Sequence, residues 1–419
     1  MVAPLRTRPL AARVLTALLL GTMLAVLAGC GASPRAGAEG PQKSCPATVL
    51  DTLARVLSRV YHEGVFSERT ASAEHMIAAS LPLRKAVAEA NPAATKAAAA
   101  QLIATGHMTN LRVMQGTRTL ADLGGPALTP LQGTIADAHG KPLARYLTSV
   151  WSRAGFLAEA NGIAEGQVVL RKGETTIGGT LPLPAGALGR EGSVTIAGVP
   201  YQYRSFSGEA YPAGAIRVYL LKPASTTTAL CGASSEDTVV NTLGRVASRI
   251  YAGEGGARTL TQVHRVQHDA ALLQAVARGE AAATHAASEA LLHHHLVRLR
   301  VSAASGAVLD DNGGPFVLAP VTAPLRLGGR RIGSIVISIQ DDEGYKRLVG
   351  RLVGLKVLMF MGPHHERLVK NSLGPGPGQV PASGSYSYRG QRFRVVTINA
   401  TAFPSGPLTI RVLIPVPYR

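Results

Sequence analysis

Thr52-Leu-Ala-Arg-Val-Leu-Ser-Arg-Val-Tyr61 returns as Thr242-Leu-Gly-Arg-Val-Ala-Ser-Arg-Ile-Tyr251, with Thr, Leu, Arg, Val, Ser, Arg and Tyr in register. Seven identities in ten positions mark a tandem duplication and set the phase for everything downstream. Apolar residues around this stretch (Val49, Leu50, Leu53, Val56, Leu57, Val60 and Tyr61; Val239, Val240, Leu243, Val246, Ile250 and Tyr251) recur every three or four positions. That spacing lays one stripe of an α-helix against a core, so each copy opens with a docked helix. The chain has 419 residues, too many for one ordinary core. A division near residue 230 leaves two units of about 180 residues, each long enough to bury one.

Behind the first helix, Leu83 to Ile103 is Ala-rich and nearly uncharged, which predicts a second, half-buried helix with Asn91-Pro92 interrupting near its start. Copy two answers with Ala275-Val276-Ala277 for Ala86-Val87-Ala88 and with Ala283-Thr284 for Ala94-Thr95. The period then turns strand-like. Leu111-Arg112-Val113 matches Leu299-Arg300-Val301, with His107 matching His295 just before, and Gly124-Gly125-Pro126 matches Gly313-Gly314-Pro315. The alternating β-branched run Ser334-Ile-Val-Ile-Ser-Ile339 reads as a half-buried strand. Further strands are expected at 167–170 and 356–361 and at 199–205 and 392–398. Each copy closes on an aromatic-Pro-x-Gly turn, Tyr211-Pro212-Ala213-Gly214 or Phe403-Pro404-Ser405-Gly406, and a last strand ending at Pro223 or Pro415. The predicted class is α+β: two tandem units, 45–226 and 227–419, each an N-terminal helix pair followed by an antiparallel sheet of about five or six strands.

The N-terminus predicts the compartment. Arg6, Arg8 and Arg13 precede an apolar run from Val14 to Leu27 and then Leu27-Ala28-Gly29-Cys30, a secretory leader too short to span comfortably. Leu-Ala-Gly-Cys resembles the bacterial lipobox, which implies cleavage before Cys30 (leader 1–29) and lipid, such as palmitate, on its thiol. Gly31 to Lys43 is rich in Gly, Ala, Ser and Pro and reads as a flexible tether, 30–44. The formal charge is +18, which would leave about +15 on the mature chain and favour anionic partners at long range. Lys and Arg are scattered without interleaved aromatics, so nucleic acid is not expected as a partner. Hydrophobic content of 46% with 16% charge excludes disorder.

The order of elements resembles the Cache family of PAS-like extracytoplasmic sensor domains. The resemblance is carried by Ile335 to Tyr345, the Gly362 turn and Ser385 to Leu413, with weaker counterparts in copy one. It implies a long N-terminal helix, an antiparallel sheet and a ligand pocket over one face, and leaves the ligand open. It also implies that the first helix and last strand of a unit end on the same side, which would bring Cys45 to Cys231. Those are the only cysteines besides Cys30, and an even pair outside the cytoplasm favours a bridge.

Residues that could carry chemistry are few. His264 and His268 stand four apart, His293 to His295 are consecutive and His364-His365-Glu366 sits where a turn is expected. No His-Glu-x-x-His or paired-Cys spacing accompanies them, so they read as surface or core histidines, and neither metal nor cofactor is expected. No strand–turn–helix serine elbow is present, and Asp341 and Asp342 as strand neighbours would point to opposite faces. The chain is therefore not expected to be an enzyme. A pocket is easier to build: the loops after the central strand hold Trp151, Arg153 and Phe156 in one copy and Asp341, Asp342 and Tyr345 in the other, aromatic walls with few charged anchors. Arg112 and Arg300 occupy matching strands, either facing the covered side of the sheet, where Arg300 would join the ligand set, or held in a structural ion pair. Arg55 and Arg59, repeated as Arg245 and Arg249, read as a solvated face. The expectation is a lipid-anchored extracytoplasmic protein of the cell membrane that binds a small molecule and signals through a partner. The alternative is an envelope scaffold or adhesion lipoprotein binding an anionic polymer.

Overall fold

The computed structural model describes residues 44–418 other than 254, 293–295, 363, 365, 366 and 405. The leader, Cys30, the tether, the His293–His295 run and His365-Glu366 therefore lie outside the described residues.

Copy one opens with four helices, α1 (Cys45–Phe66), α2 (Glu68–Ala79), α3 (Leu81–Ala88) and α4 (Pro92–Ala104). Strands β1 (Asn110–Gln115), β2 (Arg118–Gly124), β3 (Ala127–Leu128), β4 (Leu131–Ala136), β5 (Pro142–Ser149) and β6 (Trp151–Ser152) come next, then helix α5 (Arg153–Ala164). The copy ends with β7 (Gln167–Lys172), β8 (Thr175–Gly178), β9 (Glu191–Ile196), β10 (Val199–Tyr211), β11 (Gly214–Pro223) and a short α6 (Ala224–Thr228). Copy two repeats the order: α7 (Ser235–Gly253), α8 (Ala257–Gln267), α9 (Ala270–Arg278), α10 (Ala281–Leu292), β12 (Arg298–Ala303), β13 (Val308–Gly313), β14 (Val317–Leu318), β15 (Val321–Leu327), β16 (Arg330–Ser338) and β17 (Gln340–Asp341). Helix α11 (Asp342–Val353) comes after these, then β18 (Lys356–Met361), β19 (Arg367–Asn371), β20 (Gly384–Tyr388), β21 (Gln391–Phe403) and β22 (Gly406–Val416).

The α+β class and the duplication are both visible in the sheets. Each copy carries a small antiparallel sheet, β2-β1-β5-β4 or β13-β12-β16-β15, and a larger one, β6-β3-β10-β11-β7-β8 or β17-β14-β21-β22-β18-β19, with β9 or β20 added against the long strand. Two details differ from expectation. The strands of each copy divide between two sheets, because the two-residue stubs β3 and β14 leave the small sheet and pair with the long strands β10 and β21. Four helices replace the expected pair; Asn91 is one reason, since its side chain accepts from the Ala94 N–H at 3.1 Å and caps a new helix with Pro92 in its first turn.

The duplicated stretch does the same work twice. Val49, Leu53, Val56, Leu57 and Val60 of α1 and Leu243, Val246 and Ala247 of α7 are 3% exposed or less and lie in one hydrophobic cluster that takes residues from both copies. The closing tyrosines plug the large sheets. The Tyr251 hydroxyl donates to the Thr401 carbonyl at 2.8 Å and accepts from the Ala319 N–H at 3.1 Å, while Tyr61 meets the carbonyl and N–H of Glu209. Helices α1 and α7 pack on each other, and a Cys45–Cys231 disulfide with Cα atoms 5.7 Å apart joins their N-terminal ends. We propose 45–226 and 227–419 as the duplicated units; their shared cluster makes them one compact body.

Arg55 and Arg245 are exposed, as a solvated face requires, yet the repeated arginines also find partners there. Arg245 forks onto the Glu165 carboxylate at 2.8 and 2.6 Å, and Arg249 adds a contact at 3.3 Å. Arg59 lies over the Tyr418 ring at 5.5 Å, and Arg55 reaches the Tyr418 carbonyl at 3.5 Å. In both cases a helix of one copy is tied to the other copy.

Candidate ligand groove between the copies

The end of α1, the start of α2, β6, α5, α8 and α11 enclose an open groove of about 590 Å³. It is built from corresponding positions of the two copies: Trp151 and Gln340 begin β6 and β17, and Glu159 and Leu348 occupy the same turn of α5 and α11. The duplication thus turns two equivalent edges toward one space.

Trp151 forms one wall. Its ring stands edge-on to Phe156 at 6.2 Å, and Phe156 stands edge-on to Tyr61 at 5.5 Å. Gly64 in α1 makes room for it: a Cβ added there would fall 2.5 Å from Trp151 Cδ1 and 2.0 Å from Thr129 Oγ1. The indole N–H is buried and has no partner among the described residues.

Charge lines the rest. Arg351 meets Glu63 at 2.7 Å and Arg347 meets Glu68 at 3.8 Å. Burial pushes the Glu63 carboxyl above its ordinary value, and Arg351 pulls it partly back. Arg69 is different. Its Nε and Nη2 donate to the carbonyls of His107 and Gly106 at 3.2 and 2.7 Å, no carboxylate lies within ion-pair distance of it among the described residues, and partial desolvation lowers its guanidinium pKa.

Of the seven residues expected to bind ligand, only Trp151 lines this groove. The runs read as loops begin helices: Ser152 accepts from the Gly155 N–H at 3.0 Å and Asp341 from the Gly344 N–H at 2.6 Å, so both are N-caps. The helical turn then sends Phe156 and Tyr345 inward. Both are 0% exposed, and the Tyr345 hydroxyl donates to the Ala247 carbonyl at 3.0 Å. Arg153 lays its side chain along Gly178. Asp342 is buried beside Lys370 at 3.5 Å, with its carboxyl raised by burial. Arg300 takes the structural option, pairing with Asp311 at 2.6 and 3.0 Å and stacking over the Phe403 ring at 4.4 Å. Its counterpart Arg112 neighbours Asp122 and Tyr211 in the same way.

Glu63, Arg69, Arg347 and Arg351 were not singled out from sequence. A signal existed for Glu63 alone: the run of identities ends at Tyr61 and Tyr251, and His62-Glu63-Gly64-Val65-Phe66 stands against Ala252-Gly253-Glu254-Gly255-Gly256 before Arg69-Thr70 and Arg258-Thr259 match again. A second cavity of about 420 Å³ lies between α8, α9 and β15, lined by Gln267, His268, Gln274 and Arg326 among others. His264 and His268 stack beside it at 4.0 Å. No group of three metal-ligating side chains occurs among the described residues, and no helix among them is long and apolar enough to cross a membrane.

No family model matches the chain, and no curated protein matches it. Solved structures do match. The periplasmic domain of Vibrio cholerae LuxQ is 10% identical, covering 43% of this chain and 98% of its own, with a TM-score of 0.25. An extracellular ligand binding receptor from Desulfohalobium retbaense is 13% identical over 53% of this chain and 47% of its own, with a TM-score of 0.20. The ligand binding domain of the Pseudomonas aeruginosa amino acid chemoreceptor PctC, in complex with GABA, is 12% identical over 41% of this chain and 98% of its own, with a TM-score of 0.22. They are a periplasmic domain, an extracellular ligand binding receptor and the ligand binding domain of a chemoreceptor. TM-scores this low carry no argument about what this chain binds.

Proposed function

We propose that this chain is an extracytoplasmic, sensor-like protein that binds a small molecule in the groove between its copies and passes occupancy to a partner. The observation that carries this reading is the groove itself: about 590 Å³, walled by a tryptophan and bordered by ion pairs that join the copies. Occupancy that alters Glu63–Arg351 or Glu68–Arg347 changes how the copies hold each other, which is a physical route from ligand to partner. Lipid on Cys30 would hold the protein at the membrane, and Cys30→Ala should move it to the soluble fraction. The groove is tested by thermal unfolding of the full chain with amino acids, organic acids and polyamines, since a ligand stabilises with the logarithm of its excess. A stabilising compound should lose its effect in Trp151→Ala; an undiminished shift in that variant would place binding elsewhere.

The net charge of +18 favours a second reading, an envelope scaffold on an anionic polymer. Binding of polyphosphate that falls with salt and is untouched by Trp151→Ala, with no small-molecule response, would favour it.

A further inference from the structure

We infer that the groove ligand is a small organic anion, a carboxylate on a flat apolar body, with Arg69 as its anchor. The inference rests on the groove being the binding site and adds the chemistry of what enters it. Two of the three glutamates on its walls are already matched, Glu63 by Arg351 and Glu68 by Arg347. Arg69 is matched only by neutral carbonyls. The carbonyls of Gly106 and His107 hold two of its nitrogens and fix the plane of the guanidinium, while its charge meets no carboxylate among the described residues. A cation held by dipoles alone is a pre-set anion receptor, and the planar fork suits a carboxylate. Nearby, Trp151 supplies a flat wall and an indole N–H with no protein partner among the described residues, and Phe66 stands 81% exposed at the rim. An aromatic wall with a few charged anchors is the usual composition of a small-ligand site, and Arg258 also lines this one. A cationic ligand would have Glu159 as its one unmatched carboxylate, because Glu63 and Glu68 are held by Arg351 and Arg347.

Benzoate, benzamide and benzylamine share a ring and differ in charge, so they separate the anion from the groove. Trp151 is the sole tryptophan, which makes intrinsic fluorescence of the full chain a direct report on the groove; calorimetry serves where Trp151 is changed. Benzoate should shift the emission and bind more tightly than benzamide, with benzylamine weakest. Arg69→Gln should weaken benzoate by about tenfold or more, the loss expected for a charge-assisted hydrogen bond, and leave benzamide little changed. Because Arg69→Gln could loosen the 106–107 turn, Arg347→Gln provides a second variant: with Glu68 released, benzoate should weaken again while the fold is kept. Tighter binding of benzylamine that is lost in Trp151→Phe would overturn the anion and keep the groove. Benzoate binding indifferent to Arg69→Gln, Arg347→Gln and Trp151→Phe would overturn both, and no binding by any of the three probes would overturn the inference.

Discussion

Replacing Gly64 with alanine sets two effects of opposite sign against each other at the groove. In a helix interior Gly→Ala ordinarily stabilises by about 1 kcal/mol, because glycine loses more backbone freedom on folding. Here the new Cβ would lie 2.0 Å from Thr129 Oγ1 and 2.5 Å from Trp151 Cδ1. Thr129 cannot easily retreat: it is 4% exposed, its φ is +50°, its N–H donates to the Glu209 carbonyl at 3.0 Å and its hydroxyl to the Leu128 carbonyl at 2.7 Å. Overpacking a rigid contact costs about 1–3 kcal/mol, so the clash should cancel or outweigh the gain, leaving a net loss of about 0–2 kcal/mol. Gly162 is the control. It lies in α5, is exposed, and an added Cβ meets nothing within 4 Å, so Gly162→Ala should stabilise by about 0.5–1 kcal/mol. Urea titration followed by circular dichroism gives both signs, and the emission of Trp151 should shift in the first variant only. Equal stabilisation by the two alanines would refute the packing described at Gly64.

The tyrosine plugs should be worth similar amounts in both copies: Tyr61→Phe leaves the Glu209 N–H and Tyr251→Phe leaves the Ala319 N–H without its acceptor, at about 1–3 kcal/mol each by urea unfolding, and a cost in only one copy would contradict their equivalence. Acid dependence should divide by sign. Arg245 holds the Glu165 carboxyl below its ordinary value, so its contribution is present above the unfolded value and is lost as pH falls through the depressed one; Glu165→Gln should remove that acid-side slope. Burial holds Asp342 above its ordinary value, so its contribution is full below the unfolded value and is lost as pH rises through the raised one; Asp342→Asn should flatten stability there, and an unchanged pH profile would speak against the burial. Reducing Cys45–Cys231 removes a cross-link over a long loop, for which the chain-entropy model gives roughly 4–5 kcal/mol; unfolding with and without reductant measures it, and identical midpoints would deny the bridge a role.

What was legible in the sequence was what repeats with a period. The stripe from Val49 to Tyr61 and its echo announced both long helices, the stretch Ser334 to Ile339 announced β16, and the aromatic-Pro-x-Gly turns marked the β10–β11 and β21–β22 hairpins. Illegible was the point where one period changes into another. Trp151-Ser152-Arg153 and Gln340-Asp341-Asp342 look like polar loops, yet a strand stub and an N-cap are packed into those residues, and the register of the following helix decides which aromatic is buried. Arg300 was undecided for a related reason: its partner Asp311 sits on the neighbouring strand, and only the pairing register sets the two opposite each other. Arg69 could not be found at all from local pattern, since its role depends on the carbonyls of 106 and 107, brought close by the fold.

The copies have diverged unevenly, and the pattern bears on why one groove serves the chain. Beneath the loops over the large sheets chemistry is kept even where residues trade places. Copy one sets Arg171 on β7 near Tyr219 on β11, and copy two sets Phe360 on β18 under Arg411 on β22, 4.4 Å from ring centre to guanidinium. The strand registers make these the same two positions: Tyr219 pairs with Val169 and Arg411 with Leu358, two residues before Arg171 and Phe360. Each copy thus has one cation and one aromatic ring at these two positions, on opposite strands in the two copies. In the groove no such compensation exists. Trp151 corresponds to Gln340 and Glu159 to Leu348, so the two halves of one space differ in charge and shape. Two like edges turned toward one space would accept a ligand in either of two orientations, whereas unlike edges fix one. In the groove proposed as the binding site, that divergence would fix a single orientation for an asymmetric ligand.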